Sequence, residues 1–215
     1  MKREEGSVFV GPDGEEAIKR EYRRVLSAWP LPWEGLEFDT AIGRTFGLAC
    51  GDREARPLVL LHGTLSNSSI WYADIAALAA GRRVYALDLP GEPGFSHPYR
   101  ASWEDGSYAA WLAESLDRLG LERSDIAGIS LGAWVALSLA AREPRRAGRL
   151  ALLCPAGLAP PRASLIPRAI LASLGGRRGL EALTRALYGA MPAPEGAVRV
   201  GAMLSRHARP RYSSP

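Results

Sequence analysis

The sequence is poor in cysteine, in lysine and in long apolar runs, and each shortage closes off a class of protein. Cys50 and Cys154 are the two cysteines among 215 residues. That is too few for a disulfide framework and fits a reducing cytoplasm. No apolar run reaches the ~18–20 residues that span a bilayer; the longest, around Ser130, is interrupted by Ser138 and then by Arg142. The opening Met1-Lys2-Arg3-Glu4-Glu5 leads into no apolar signal core, which argues against secretion. What remains is a composition of 47% hydrophobic and 23% charged residues. It describes one globular domain with a large core and excludes a disordered or collagen-like chain.

Lysine occurs only at Lys2 and Lys19, against 25 arginines, a bias that reads as genome base composition. Charge is uneven along the chain. Residues 1–130 hold 14 basic and 20 acidic groups, whereas residues 131–215 hold 13 basic and 3 acidic. A basic C-terminal third raises nucleic-acid binding. The arginines there stand singly or in pairs among leucine and alanine with little aromatic interleaving, so neither a nucleic-acid nor a membrane partner is expected.

Residues 1–14, Gly-rich and charged, read as a frayed terminus. A helix is predicted over 15–28 from the stripe Ile18, Tyr22, Val25 and Leu26, ended by Trp29-Pro30-Leu31-Pro32-Trp33 because proline cannot continue it. Short strands over 36–40 and 45–50 form a hairpin. Strands over 57–61, 83–87, 125–129 and 149–154 then alternate with helices over 70–80, 106–119 and 131–142. Apolar strands alternating with helices predict an α/β fold, a mostly parallel sheet covered on both faces. From Pro155 onward the pattern is of short helices, over 165–174, 179–191 and 195–207.

The strongest chemical signal is Gly128-Ile129-Ser130-Leu131-Gly132, set between a predicted strand and a predicted helix. A G-x-S-x-G run in that setting is a nucleophile elbow: a sharp strained turn lifts the serine hydroxyl clear of the sheet. Gly128 and Gly132 are small because strand and helix pass in contact there. The helix also aims its positive N-terminus at developing negative charge. Upstream, Leu58–Leu61 runs into His62-Gly63-Thr64. The backbone N–H of Thr64, with that of Leu131, would form an oxyanion hole. His62 reads as a buried brace for this loop. Asp88 reads as a turn-former, His97 as a surface loop residue, and Cys154 as a buried small hydrophobe. Trp71, Trp103, Trp111 and Trp134 read as core or cap-facing packing.

With these pieces in order, the chain resembles the α/β-hydrolases, close to their single-domain esterase-like members. The resemblance rests on the N-terminal helix and its Trp-Pro exit, the His62-Gly63 loop and Asp88-Leu89-Pro90-Gly91-Glu92-Pro93-Gly94-Phe95-Ser96. It continues through the Ser130 elbow and the strand 150–154 running into Pro155-Ala156-Gly157. It implies a partial hydrolase core over 1–160 and a helical cap segment over 161–215. It further implies that Ser130 is the nucleophile and that a small carboxylic ester or related acyl substrate is hydrolysed through an acyl-enzyme, without cofactor or metal. Aspartate-nucleophile members are disfavoured because position 130 is serine.

One last shortage is the sharpest. A serine needs a base, and the base an orienting acid, in the chain order Ser, Asp or Glu, His. After Ser130 there is no aspartate; the acids are Glu143, Glu181 and Glu195, and the one histidine is His207 in an Arg-rich tail. The triad Asp and His are thus expected to be absent from this chain, together with the last two strands, ~60 residues at ordinary element lengths. A truncated polypeptide is expected, with strand 149–154 as an exposed edge and weak or no activity. The alternatives are a non-catalytic binding module and a fragment that works when its C-terminal part is supplied.

Overall fold

The computed structural model describes residues 7–102, 104–158 and 207–208. A helix α1 (Gly11–Ser27) leads into the hairpin β1 (Trp33–Thr40) and β2 (Gly43–Gly51), followed by β3 (Pro57–Leu61). A short 3-10 turn at Ser68–Trp71 and the brief helix α2 (Ile75–Leu78) precede β4 (Arg83–Leu87). Then come α3 (Ser107–Arg118), β5 (Ser124–Ile129), α4 (Leu131–Arg142) and β6 (Ala147–Leu153). The strands form one sheet in the order β1-β2-β4-β3-β5-β6. β1 with β2 and β2 with β4 are antiparallel, while β4, β3, β5 and β6 run parallel to one another.

Alternation along the central strands divides the core in two. Leu58 and Leu60 of β3, Val84 and Ala86 of β4 and Ala127 of β5 pack with Tyr22 and Leu26 of α1 and Ile75 of α2. Val59, Leu61, Leu87 and Ile126 face the other way, onto Tyr108, Trp111, Leu112 and Leu116 of α3 and Leu131, Val135 and Leu139 of α4. Both faces are therefore covered, and a parallel sheet of unbroken apolar strands is stable only in that arrangement.

At the entry end of the sheet, Asp125 ties four strands together. Its carboxylate, 4% exposed, accepts from Arg56 Nη2 at 3.1 Å, Arg82 Nη1 at 3.1 Å and the Arg149 amide at 2.8 Å. The register between β5 and β6 slips between Ser124 and Ile126, and this bulge is where the Arg149 amide turns to the carboxylate. Burial raises the Asp125 pKa, but the Arg149 amide and the two arginines outweigh it, so the net shift is downward. Asp125→Ala leaves the part-buried Arg149 amide without its acceptor and two guanidinium groups that can partly resolvate. A loss of about 2 kcal/mol is expected, read as a fall of roughly 4–8 °C in Tm.

Three expectations need correction. Residues 7–14 are not frayed: Ser7 pairs with Tyr99 and Phe9 with Ala208. Val8 and Phe9 are buried against Ile18, Ala208 and Leu65, and α1 starts at Gly11 because Pro12 is pre-set for a first helical turn. The helix expected over 70–80 is broken, since the Asn67 side chain captures the Ser69 amide at 3.1 Å and starts a 3-10 turn instead. Cys154 is exposed: β6 ends at Leu153 and the chain leaves the sheet through Cys154 at φ +47°. Among the described residues β6 is an outer strand of the sheet. The predicted helices over 165–174, 179–191 and 195–207 lie, except for His207, outside the described residues, as does Trp103.

Candidate active site

β3 and β5 are neighbours, but the chain leaves them toward opposite faces, β3 toward α2 and β5 into α4. The crevice beyond their carboxyl ends is the position where open α/β sheets bind ligands. Ser130 stands there with φ +50° and ψ −106°, a conformation costly for any residue with a Cβ. Its backbone is pinned on both sides: the Ser130 amide donates to Leu153 O at 2.9 Å, and its carbonyl accepts from the Trp134 and Ala156 amides at 3.0 and 3.1 Å. The Gly132 amide donates to His62 O at 3.1 Å, tying the start of α4 to the end of β3. A Cβ built on Gly63 would lie 3.5 Å from Ser130 Cβ, so the β3 exit runs in contact with the serine.

Two backbone amides lie next to the residues that meet here, Leu131 after Ser130 and Thr64 after Gly63. Leu131 opens α4, where the helix carries its partial positive charge, and Thr64 follows Gly63 on an exposed turn. Among the described residues neither amide hydrogen-bonds to the protein.

His62 is completely buried. Its Nε2 accepts from the Leu89 amide at 2.9 Å, which makes Nδ1 the protonated nitrogen, 2.8 Å from Gly63 O. Both ring nitrogens are thereby used on backbone. Burial holds the His62 pKa below its ordinary value, with Asp88 and Gly63 O pulling back in the opposite direction. Because the folded state binds this proton less readily than the unfolded chain, its contribution to stability is complete above about pH 6.5 and is lost as the pH falls below that. The wild-type Tm is therefore expected to decline from about pH 6.5 downward. His62→Asn should melt lower at pH 7 and lose that part of the slope; an unchanged slope in differential scanning calorimetry would contradict the assignment.

Asp88 is buried and structural. Its Oδ1 accepts from Tyr22 Oη at 3.0 Å and the Ser68 amide at 2.8 Å, and its Oδ2 from the Phe95 amide at 2.9 Å. Burial first, and then the Asp88 charge, drive the Tyr22 pKa well up, so Tyr22 serves as a donor. His97 is half-buried, its ring against Tyr99 and its amide donating to Arg44 O at 2.7 Å. His207 lies against Gly14 of α1, its carbonyl accepting from the Val10 amide. Among the described residues no histidine hydrogen-bonds to Ser130. Trp71 and Trp111 are in the core, and Trp134 packs against Tyr108. Glu143 is exposed, while Glu181 and Glu195 lie outside the described residues.

One residue beside the site was not singled out from sequence. Glu92, 1% exposed, turns its carboxyl toward the Thr64 turn, where Oε2 accepts from the Leu65 amide at 2.7 Å. Its signal is faint: it is the one acid in the Pro- and Gly-rich stretch between Leu89 and Ser96. A separate surface concavity of about 440 Å³, lined by Leu31, Pro32, Asp52 and Ala79 among others, lies at the other end of the sheet. Among the described residues no cluster of three or more His, Cys, Asp or Glu could hold a metal ion. Nor is any helix there long and apolar enough to cross a membrane.

Comparison with known proteins agrees with this architecture. A sequence model described as alpha/beta hydrolase fold matches residues 56–177. The chain is 38% identical over 135 residues to "Uncharacterized carboxylesterase nap" of Bacillus subtilis, a match covering 63% of this chain and 45% of that protein. It is 37% identical over 135 residues to "Carboxylesterase YbfK" of the same organism, covering 63% of this chain and 46% of that protein. The matches thus span a little under half the length of these two relatives. Among solved structures it superposes on the naproxen esterase (carboxylesterase NP) of Bacillus subtilis with a TM-score of 0.79 at 28% identity, covering 94% of this chain and 71% of that one. It superposes on carboxylesterase CesB (YbfK) from Bacillus subtilis with a TM-score of 0.78 at 29% identity, covering 90% and 67%. By fold, strand order and sequence, this chain belongs to the alpha/beta hydrolase fold family.

Proposed function

We propose that this chain carries the nucleophile and the oxyanion-binding half of a serine ester hydrolase, with Ser130 as the nucleophile. The observation that carries this reading is the strained elbow itself: Ser130 is held at φ +50° beside Gly63, at the junction of β5 and α4. The relatives named carboxylesterases support a small carboxylic ester as substrate.

The chemistry follows from the geometry. The Ser130 oxygen adds to the ester carbonyl, whose oxygen takes on negative charge and accepts from the Thr64 and Leu131 N–H groups. Collapse expels the alcohol and leaves an acyl group on Ser130, which water then removes as the carboxylate. The positive end of α4 favours both tetrahedral intermediates. The Ser130 proton passes to solvent water, and the departing alkoxide takes a proton back from water. In this sequence no aspartate follows Ser130, and both nitrogens of His62 are already taken. This polypeptide is therefore expected to acylate at Ser130 slowly, well below the rate of a serine hydrolase whose nucleophile is activated by its own base and acid.

The test is hydrolysis of p-nitrophenyl acetate by the wild type and by Ser130→Ala. A slow but Ser130-dependent rate is the expected result. A rate unchanged in Ser130→Ala would exclude Ser130 as the nucleophile. The lack of a histidine on Ser130 among the described residues favours a second reading, a module that binds an acyl compound without turning it over. Saturable binding of the ester with no Ser130-dependent release of p-nitrophenol would establish that reading instead.

A further inference from the structure

We propose that Glu92 is a positioning residue for the oxyanion amide of Thr64, an inference that rests on the hydrolase reading above. Two peptide planes flank Thr64. In the plane joining Gly63 to Thr64, the carbonyl and the N–H point in opposite directions, because the peptide is trans and flat. His62 Nδ1 donates to that Gly63 carbonyl at 2.8 Å, which fixes where the Thr64 N–H points. In the next plane, joining Thr64 to Leu65, the N–H donates to Glu92 Oε2 at 2.7 Å. With both flanking planes held, the two backbone torsions of Thr64 are restrained from either side.

The second clamp is needed because Leu65 itself is strained. It adopts φ +53°, a left-handed conformation that disfavours a side chain with a Cβ, so without a fixed partner its amide would relax toward the ordinary region. Relaxation there turns the Thr64–Leu65 plane and, through Thr64, the neighbouring amide. Glu92 is itself held in place. The Gly91 amide donates to His97 O at 2.8 Å, and Arg100 Nε donates to Gly91 O at 3.1 Å and lies 4.0 Å from Glu92 Oε1. The Leu89 amide, three residues earlier in the same loop, donates to His62 Nε2. The loop after β4 thus supplies the support for both clamps, and the loop after β3 presents the amide.

The role requires reach and an acceptor atom, not charge, and this sets the variants. Glu92→Gln keeps an acceptor at the same reach; Glu92→Asp keeps the carboxylate but is one methylene too short; Glu92→Ala has neither. Two readouts are made on the whole chain: Ser130-dependent acylation by p-nitrophenyl acetate, resolved into kcat and KM, and hydrogen exchange of the Leu65 amide. In Ala and Asp, kcat is expected to fall tenfold or more with KM within twofold of wild type, and Leu65 exchange to accelerate at least tenfold. Gln should stay within threefold of wild type in both. The proposal is overturned if Ala and Asp keep kcat within twofold, or if Gln falls as far as Ala. Should Ala fail to fold, Asp against Gln gives the same comparison. If the wild type itself shows no Ser130-dependent acylation, the hydrolase reading fails. Leu65 exchange then still decides whether Glu92 holds the turn, and equal exchange in wild type and Asp removes the clamp altogether.

Discussion

Ser130→Gly should make the protein more stable and at the same time unreactive. The wild-type serine sits at φ +50° and ψ −106°, where a Cβ costs on the order of 1–3 kcal/mol, while glycine enters positive φ freely. Against that relief stands the extra conformational freedom of glycine in the unfolded chain, about 0.5–1 kcal/mol. The net expectation is a gain of about 1 kcal/mol, a rise of roughly 2–4 °C in Tm. Ser130→Ala keeps the Cβ and therefore the strain, so its Tm should match wild type. Both variants should lose all Ser130-dependent acylation. Thermal melts of the three proteins separate the cases. Equal Tm values for Gly and Ala would show that the elbow stores no strain and that its conformation is not imposed by the fold around it.

Gly132→Ala should have the opposite sign and a larger size. A Cβ at Gly132 would collide with Leu61 O and lie 2.6 Å from His62 O. These are main-chain atoms of the end of a central strand, so neither can swing aside. The α4 N-terminus would have to withdraw, breaking the 3.1 Å bond from the Gly132 amide to His62 O and pulling the Leu131 amide away from Ser130. Overpacking against fixed backbone with loss of a buried hydrogen bond puts the cost at about 3 kcal/mol or more. Gly81 supplies the control. It has φ +68° with nothing within 4 Å of a built Cβ, so Gly81→Ala should cost only about 1 kcal/mol. Urea melts of the two variants should therefore differ by at least twofold in lost stability, and equal losses would contradict the close approach of α4 to β3.

How far sequence alone could reach depended on whether a signal was local. The apolar runs of β3 and β5 are long enough to read as buried strands, and the change from strand to helix at Gly128–Gly132 is written in five consecutive residues. The fold class and the position of Ser130 were legible for that reason. Val8 and Phe9 were not, because they are buried by Ala208, near the other end of the chain, through bridges that leave no periodic pattern. The break before α2 depends on one side chain, Asn67, competing with the helix for the Ser69 amide. Cys154 looked like a core residue because it follows an apolar strand, but the outward turn after Leu153 depends on tertiary geometry. Glu92 and Asp88 show the same limit at the site. A carboxylate in a Pro-Gly loop reads as a turn, and only the folded chain brings Glu92 to the Leu65 amide and Asp88 to Tyr22 and Ser68.

The central claim is that Ser130 is the acyl-accepting nucleophile, and a fluorophosphonate probe tests it most directly. Wild type and Ser130→Ala would be incubated with the probe, digested and mapped by mass spectrometry. The expected result is a single adduct on the peptide carrying Ser130, formed slowly and absent from the variant. An adduct on another residue at the same rate in both proteins, or no adduct after prolonged exposure of the folded wild type, would contradict the assignment.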